Sequence, residues 1–584
     1  MPSTESIAAK ITPFIVPGDH DQSRYFEAIK ALVAGRDQAK GSERAAWQQA
    51  IDEVYALVAD EIRNRAGQPL KPVSFGTSGW RGLLGKELFV RSVAVVTAAI
   101  LSLYKKAEQD GELAGALGVA SFAEMRERGC VLGFDNRFGG PMLALAVANV
   151  LAANGVRILY AGEATTGALS ASVLVRHAAF SINLTPSHNP LEYGGFKYNA
   201  ADAGPAAPIL TEHITRMARD CMGRQSVPLL PPDLDLQKPL DQLPDVSHED
   251  ALASWQRLVR EGKKRHGLDY DQLVQDFAAR DDIFVCLDPV HGASRDMLAA
   301  LLGNPDAGHL KILRHTADPT FGGIAPEPSS ANLRPVMAEL QAAGQPLRLG
   351  AIIDPDGDRI RFTDGNVEIS MNQFGAMAYH YLHEHKGKRG MAAKTVATSN
   401  LANALAAGFG EELFEPRVGF KEFKPVIGRA LVCFEESDGI TVIGHTPEKD
   451  AFIGLMLALD MTLTLKKPLG AYLHEIEERY GYYYPAKDSA FVSQQGETLL
   501  AALNRLARYD VGATLEVGGR ARTVKQVIAI DGRKLILDDD SWIMIRPSGT
   551  EPKVRFYVEA RNPEGCGQLV ETAKSLLAET GLLP

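Results

Sequence analysis

Long apolar runs are missing from this sequence. No window of its 584 residues approaches the roughly 18 consecutive apolar side chains of a membrane-spanning helix, so no membrane span and no membrane partner are expected. Cysteine is scarce: Cys130, Cys221, Cys286, Cys433 and Cys566 are odd in number and widely spaced, and no CxxC pair occurs. That pattern fits a reducing compartment and argues against a zinc site. The stretch from Met1 to Asp19 lacks a basic segment followed by an apolar core, so no secretory signal is expected and a cytoplasmic location is. Basic residues are not in excess either. The 62 Lys and Arg stand against 72 Asp and Glu, a formal charge of −10, which disfavours nucleic acid as a partner. A small anionic ligand stays compatible, because it needs only a local basic pocket. Neither GxGxxG nor a GxxxxGK loop followed by Ser or Thr occurs, so nucleotide binding has no support.

What is present is ordinary globular material, with 45% hydrophobic and 23% charged residues. The length suits roughly three to five domains. Residues 22–66 predict helix, with apolar side chains at helical spacing through Ile51, Val54, Tyr55, Val58 and Ile62. Residues 88–104 predict a second helical run. A short apolar strand, Cys130 to Phe134, ends at Asp135-Asn136-Arg137; a helix follows from Pro141 to Asn154, Gly155 stops it, and residues 156–160 form the next strand. Strand–helix–strand alternation predicts an α/β sheet with parallel pairs. Two more apolar strands end in aspartate and proline, at Asp288-Pro289 and Asp354-Pro355. Residues 221–250, rich in Pro, Asp and Leu, predict a connector, and a further boundary is expected near 479–486. Beyond it, residues 521–537 and 542–559 predict β structure and 567–577 a closing helix.

Five loops carry candidate chemistry. In Thr185-Pro186-Ser187-His188-Asn189-Pro190, two prolines pin the backbone around Ser187, whose hydroxyl is a candidate nucleophile or phosphoryl carrier. His188 and, after Gly194-Gly195-Phe196, Lys197 are candidates for proton transfer or charge compensation beside it. In Asp354-Pro355-Asp356-Gly357-Asp358-Arg359, three carboxylates at alternate positions can converge on one cation if Gly357 lets the backbone curl. All-oxygen ligands point to Mg²⁺ rather than Zn²⁺ or Cu²⁺. Gly365 stands where an EF-hand would need its last glutamate. Arg546-Pro547-Ser548-Gly549-Thr550-Glu551-Pro552 offers an arginine, two hydroxyls and a glycine N–H to a phosphate dianion. Glu435-Glu436-Ser437-Asp438-Gly439 suits sugar hydroxyls, and Phe75 to Gly82, with Arg81 among its glycines and hydroxyls, has the look of an anion loop. Taken singly, each loop is also compatible with a solvated turn.

Their order is the stronger observation. FGTSGWRG, TPSHNP, DPDGDR, EESDG and RPSGTEP follow one another between about Ser74 and Glu559, and in that order they resemble the α-D-phosphohexomutase superfamily motif for motif. The resemblance implies an α/β protein, with three similar mixed α/β domains plus a C-terminal α+β domain around a central cleft. The implied division is 1–230 for an N-terminal extension and phosphoserine domain, 231–368 for a metal-binding domain, 369–480 for a sugar-binding domain and 481–584 for a phosphate-binding domain. It implies Ser187 as the phosphoserine, and Asp354, Asp356 and Asp358 as Mg²⁺ ligands together with the Ser187 phosphate. Arg81, Lys197 and Arg359 would face the reacting phosphate, with His188 and Lys197 as acid–base candidates. Glu435 and Ser437 would contact sugar hydroxyls, and Arg546, Ser548, Gly549 and Thr550 the non-reacting phosphate. Val418-Gly419-Phe420-Lys421 resembles the segment that selects sugar orientation, which adds Gly419 and Lys421.

The implied reaction is reversible transfer of a phosphoryl group between the 1- and 6-positions of a hexose phosphate. Glucose 1-phosphate would become glucose 6-phosphate through a 1,6-bisphosphate, with glucose 1,6-bisphosphate as activator and a monomer or homodimer as the working form. After the sugar loop, Ile440-Thr441-Val442-Ile443-Gly444-His445 matches no single subfamily. A phosphomannomutase or dual-specificity mutase therefore stays open. So do a hexose 1,6-bisphosphate synthase and a non-catalytic sugar-phosphate binding protein, although the last would need neither the serine nor the three aspartates.

Overall fold

The computed structural model describes residues 4–76, 79–306, 308–548 and 553–583. The chain forms two units, one of residues 1–264, 268–365 and 444–460, the other of 265–267, 366–443 and 461–584.

In the first unit, the predicted helical run 22–66 is a hairpin of two helices, Tyr25–Gln38 and Gly41–Asn64. The break falls at Ala39 and Lys40, both extended. Folding back lets the apolar stripes of both helices share one core, with Ile29, Leu32, Ile51 and Val58 fully buried. Gly35 makes room for the crossing, since a Cβ there would stand 2.8 Å from the Trp47 ring.

The first sheet has the strand order Phe75–Gly76, Gly79–Leu83, Tyr193–Asn199, Phe180–Leu184, Cys130–Phe134, Ile158–Glu163 and Val246–His248. Its central strands, Cys130–Phe134 and Phe180–Leu184, run parallel and are buried at every position. Near-continuous apolar sequence is what strands covered on both faces require. The stretch 221–250 is not wholly connector: past Pro244 the chain extends, and Val246–His248 pairs in parallel with Ile158–Glu163. The second sheet places Ile360–Thr363, Leu347–Ile353, Ile283–Asp288 and Leu310–Ile312 side by side, the last three parallel. In both sheets a buried parallel strand runs out directly into a chemistry-bearing loop, Leu184 into Thr185 and Ile353 into Asp354, at the carboxyl edge where α/β sheets place their ligand sites.

In the second unit, Leu413–Phe414, Ala392–Lys394, Val432–Glu435 and Gly439–Val442 form one sheet. A six-stranded antiparallel sheet follows, in the order Tyr484–Phe491, Lys553–Ala560, Trp542–Pro547, Arg533–Leu537, Arg520–Ile528 and Thr514–Val517. The closing helix, Pro563–Glu579, starts at an Asn562 cap and packs on this sheet through Leu569, Ala573, Leu576 and Leu577. The architecture is thus three mixed α/β domains and a C-terminal α+β domain. Among the described residues, no helix is long and apolar enough to cross a membrane.

Candidate active site

Ser187 is not presented on a surface turn. It is 1% exposed, and its backbone takes a positive φ of 59°. A non-glycine residue in that conformation persists only where its surroundings enforce it. Here the surroundings do so from both sides. The Ser187 N–H donates to Thr185 Oγ1 at 2.9 Å, and Thr185 donates in turn to the buried Asp135 at 2.7 Å. The Arg137 guanidinium donates to the carbonyls of Ser187 and Pro190, each at 2.7 Å, and to that of Asn189. Burial pushes the Asp135 carboxyl up to about 6, against the pull of Arg137 and Thr185. The approach of the next strand is tight: a Cβ on Gly195 would stand 2.1 Å from the Thr185 carbonyl oxygen.

The Ser187 hydroxyl donates to Asp354 Oδ2 at 2.9 Å and lies 3.3 Å from His188 Nδ1. Asp354, Asp356 and Asp358 are all buried, and their ligand atoms lie within 4.8 Å of one another. Gly357 makes the curl, with φ at 65°. A Cβ there would meet Thr165 Cγ2 at 2.6 Å, because the N-terminus of the helix Thr166–Arg176 packs on the loop. Thr166 fixes Asp356 twice, through its N–H to the carbonyl and its hydroxyl to Oδ2, each at 2.8 Å. Asp354 Oδ1 accepts from the N–H groups of Asp358 and Arg359, each at 3.0 Å.

Lys197 reaches Asp356 Oδ2 at 2.5 Å and Asp358 Oδ2 at 2.8 Å. A second lysine, Lys449, stands 3.3 Å from Asp358 Oδ2, and Arg359 3.6 Å from Asp358 Oδ1. The charges divide the carboxylates. Burial and then its two neighbours drive Asp354 well above the ordinary carboxylate range. Asp358 feels the same burial, but Lys197, Lys449 and Arg359 outweigh it and hold its carboxyl well down. Burial likewise opposes the charge on Lys197, yet Asp356, Asp358 and Glu448 more than offset it and raise it. Burial, then Arg359 and Arg81, press His188 well below its ordinary value, so its imidazole is neutral near pH 7. Arg81 comes from the strand Gly79–Leu83, where it pairs with Gly195, and residues 77–78 of that loop lie outside the described residues.

The donor set suits a hard divalent cation. Asp356 Oδ1 and Asp358 Oδ1 are buried without a hydrogen-bond donor, and even with Lys197, Lys449 and Arg359 beside the cluster Asp354 is driven well above the ordinary carboxylate range, by burial and then by Asp356 and Asp358.

In the second unit, Glu435 and Glu436 are buried, and Ser437 donates to Glu435 at 2.8 Å. Glu436 is held from behind by Thr395 at 3.0 Å, and Lys487 donates to its carbonyl at 3.1 Å. Gly419 takes a φ of 128° and opens the turn Phe420–Phe423, which carries Lys421. Arg546 stands 3.0 Å from Asp531, whose same carboxylate oxygen accepts the Val418 N–H at 3.0 Å. The Ser548 N–H donates to the Lys553 carbonyl at 2.8 Å. Gly549 and Thr550 lie outside the described residues.

Four family descriptions match this chain in order. They are the α/β/α domains I, II and III of phosphoglucomutase/phosphomannomutase, at residues 103–221, 270–367 and 370–480, and the C-terminal domain at 505–574. The chain belongs to the phosphoglucomutase/phosphomannomutase family. A phosphoglucomutase of Komagataeibacter xylinus is 28% identical over 532 residues, covering 84% of this chain and 87% of that one. A phosphoglucomutase/phosphomannomutase of Thermococcus kodakarensis is 26% identical, covering 86% and 98%. Among solved structures, a provisionally assigned phosphomannomutase of Thermus thermophilus superposes with a TM-score of 0.67 at 25% identity, covering 87% of this chain and 99% of that one.

Several groups of this site carry no motif. Lys449 and Glu448 come from the segment after the sugar loop. His445 Nε2 lies 2.6 Å from Asp450 Oδ2, the Trp255 indole donates to the same oxygen, and the Ala451 N–H donates to the Gly357 carbonyl at 3.0 Å. These contacts bring Lys449 to the aspartate loop. A signal exists in the sequence: Glu448-Lys449-Asp450 is a charged block wedged between apolar Ile440–Val442 and Ala451–Leu459. Asp135 and Arg137 are marked only as the turn that ends the strand Cys130–Phe134, and Thr166 leaves no mark.

Proposed function

We propose that the chain is a phosphoglucomutase in which Ser187 carries the phosphoryl group. Family membership supports phosphohexomutase chemistry, and the relatives' names favour glucose phosphates. The observation that carries the reading is the 2.9 Å contact between Ser187 Oγ and one of three clustered, buried aspartates.

In this reading Asp354, Asp356 and Asp358 would hold Mg²⁺, beside the Ser187 phosphate. When bound, the ion neutralises charge on the transferring group, which is where most phosphoryl-transfer catalysis lies. The phosphoryl group leaves Ser187 Oγ as its new bond to a sugar hydroxyl oxygen forms. The proton of that hydroxyl leaves to a base as the new bond forms, and the freed Ser187 Oγ takes up a proton; His188 and Lys197 are the candidates for these transfers, His188 Nδ1 lying 3.3 Å from Ser187 Oγ. Lys197, Lys449, Arg359 and Arg81 compensate charge on the reacting side. Glu435, Ser437, Gly419 and Lys421 hold the sugar, and Arg546, Ser548, Gly549 and Thr550 the far phosphate. The bisphosphate then reverses, so these groups must accept the ligand in two poses. Glucose 1,6-bisphosphate acts as activator by recharging the serine.

The test is Ser187→Ala with an intact-mass measurement of the wild-type protein before and after phosphatase. The variant should lose mutase turnover on glucose 1-phosphate while still binding it, and the wild type should shed one phosphate. Undiminished turnover in Ser187→Ala would end the proposal. The Thermococcus relative's double name supports a second reading, dual specificity, which predicts comparable kcat/KM on mannose 1-phosphate.

A further inference from the structure

The helical hairpin Tyr25–Asn64 precedes every matched family segment. We propose that it is a brace for the serine loop, and that Arg36 is a positioning residue for phosphoryl transfer. The inference rests on Ser187 being the phosphoryl carrier.

Arg36 is a charged side chain only 5% exposed; its Nε donates to the adjacent Asp37 at 3.2 Å, and its other guanidinium contacts leave its own helix. Its guanidinium donates to Gln48 at 2.9 Å and to Thr320 Oγ1 at 3.2 Å, and lies 3.5 Å from Asp318 Oδ2. Asp318 organises the next turn by accepting from the Thr320 hydroxyl at 2.6 Å, the Thr320 N–H at 2.8 Å and the Gly322 N–H at 3.1 Å. Within that turn Phe321 is fully buried at a φ of 53°. The Phe321 ring lies under Arg137, 4.8 Å from the guanidinium carbon to the ring centre. Arg137 is the residue that grips the carbonyls of Ser187, Asn189 and Pro190. A continuous path of contacts therefore runs from Arg36 through Asp318 and Phe321 to Arg137 and the serine loop.

A second path arrives independently. Tyr55, on the other helix of the hairpin, stacks on Phe138, next to Arg137, with ring centres 4.3 Å apart and planes at 24°. Asn136, on the other side of Arg137, donates to the Asp318 carbonyl at 3.3 Å. Each helix also seats against a left-handed glycine beside one of these loops. A Cβ on Gly323 would stand 2.8 Å from Val33 Cγ1, and one on Gly139 would stand 3.0 Å from Ile62 Cδ1. The two loops that flank Arg137 are thus shaped to receive the hairpin. The strained φ of Ser187 needs such enforcement, because its conformation is not one the local chain prefers.

The experiment compares the full-length wild type with Arg36→Met, Arg36→Lys and Tyr55→Leu. Turnover is normalised to the fraction of Ser187 that intact mass shows phosphorylated after incubation with glucose 1,6-bisphosphate, so inactive protein does not count. Hydrogen exchange of the peptide spanning 185–190 is followed in parallel. Arg36→Met should lower kcat per phosphorylated serine about tenfold with KM within about threefold, the pattern of a misplaced reacting group. It should also speed exchange of that peptide about tenfold. Arg36→Lys, which keeps the charge but not the fork, should recover part of the loss. A merely structural contact would leave turnover per phosphorylated serine and loop exchange unchanged, and that result overturns the brace. Should Arg36→Met fail to fold, Tyr55→Leu decides alone on the same readouts. A wild type without mutase turnover would instead sink the functional reading, and loop exchange would still judge the brace.

Discussion

Replacing Lys534 by methionine should flatten the pH dependence of stability of the second unit above neutrality. Lys534 is 1% exposed; its ammonium donates to the Val396 carbonyl at 2.8 Å and to Asn400 at 3.3 Å, and sits 4.1 Å from the centre of the Trp542 ring. Glu415 is 3.6 Å away and Glu559 attracts it, but burial, and then the neighbouring Lys394, win and lower it from 10.5 to about 7. Between those values the unfolded chain binds a proton that the native one releases, so stability rises with pH. The penalty for burying the charge is fully present below pH 7 and fades as pH climbs towards 10.5. Integrated from pH 7 to 9, the gain is about 2 kcal/mol. Methionine loses the bond to Val396 as well, but that loss does not depend on pH. The chain has four tryptophans, and Trp542 is the one in this unit. Labelling with 5-fluorotryptophan therefore lets ¹⁹F NMR follow its denaturation in urea apart from the first unit. The stability difference, wild type minus Lys534→Met, should grow by about 2 kcal/mol over those two pH units. Equal slopes would mean that Glu415 and Glu559 keep the lysine charged in the fold, and would refute the reasoning.

Two further substitutions probe the proposed site. In Gly357→Ala, a Cβ 2.6 Å from Thr165 at a φ of 65° must distort the aspartate loop, so half-maximal Mg²⁺ for turnover should rise about tenfold, and unchanged Mg²⁺ dependence would count against the loop as the cation site. In Asp531→Ala, Arg546 loses its ion-pair partner and the Val418 N–H its acceptor, so KM for glucose 1-phosphate and Kd for inorganic phosphate should each rise about tenfold with a smaller change in kcat; an unmoved KM would detach Arg546 from ligand binding.

The fold is legible where one strand or helix is explained by its own residues. Cys130–Phe134 and residues 349–353 carry no polar side chain because both faces are covered, and a run of that kind announces itself, whereas Phe180–Leu184 is as deeply buried but carries Ser181 and Asn183 and gives no such signal. The hairpin reads as one helix because Gln38 to Gly41 carries no proline, and the turn is decided by cores that meet only after folding. Val246–His248 is hidden for a related reason. A three-residue edge strand has almost no pattern of its own, and the prolines before it suggest a linker.

In the site, legibility follows the division between groups that act locally and groups that support them from afar. Aspartates at alternate positions around Gly357 must lie in one stretch of chain, because a single turn has to point them inward, and so they leave a motif. Ser187 also sits in a motif, but its two prolines suggest that local rigidity suffices. The enforcement comes instead from Arg137, 50 residues away, and from Asp135 behind Thr185. A carbonyl grip of this kind leaves no signature in the gripped segment, since backbone oxygens are the same in every residue. Lys449 is the intermediate case. A charged block buried between two apolar segments is expensive unless each charge finds a partner, so Glu448-Lys449-Asp450 signals pairing with something, though not with Asp358 in particular. Partner identity is a property of topology: the chain returns to the first unit at Gly444, and it is this return that sets a second lysine beside the aspartates.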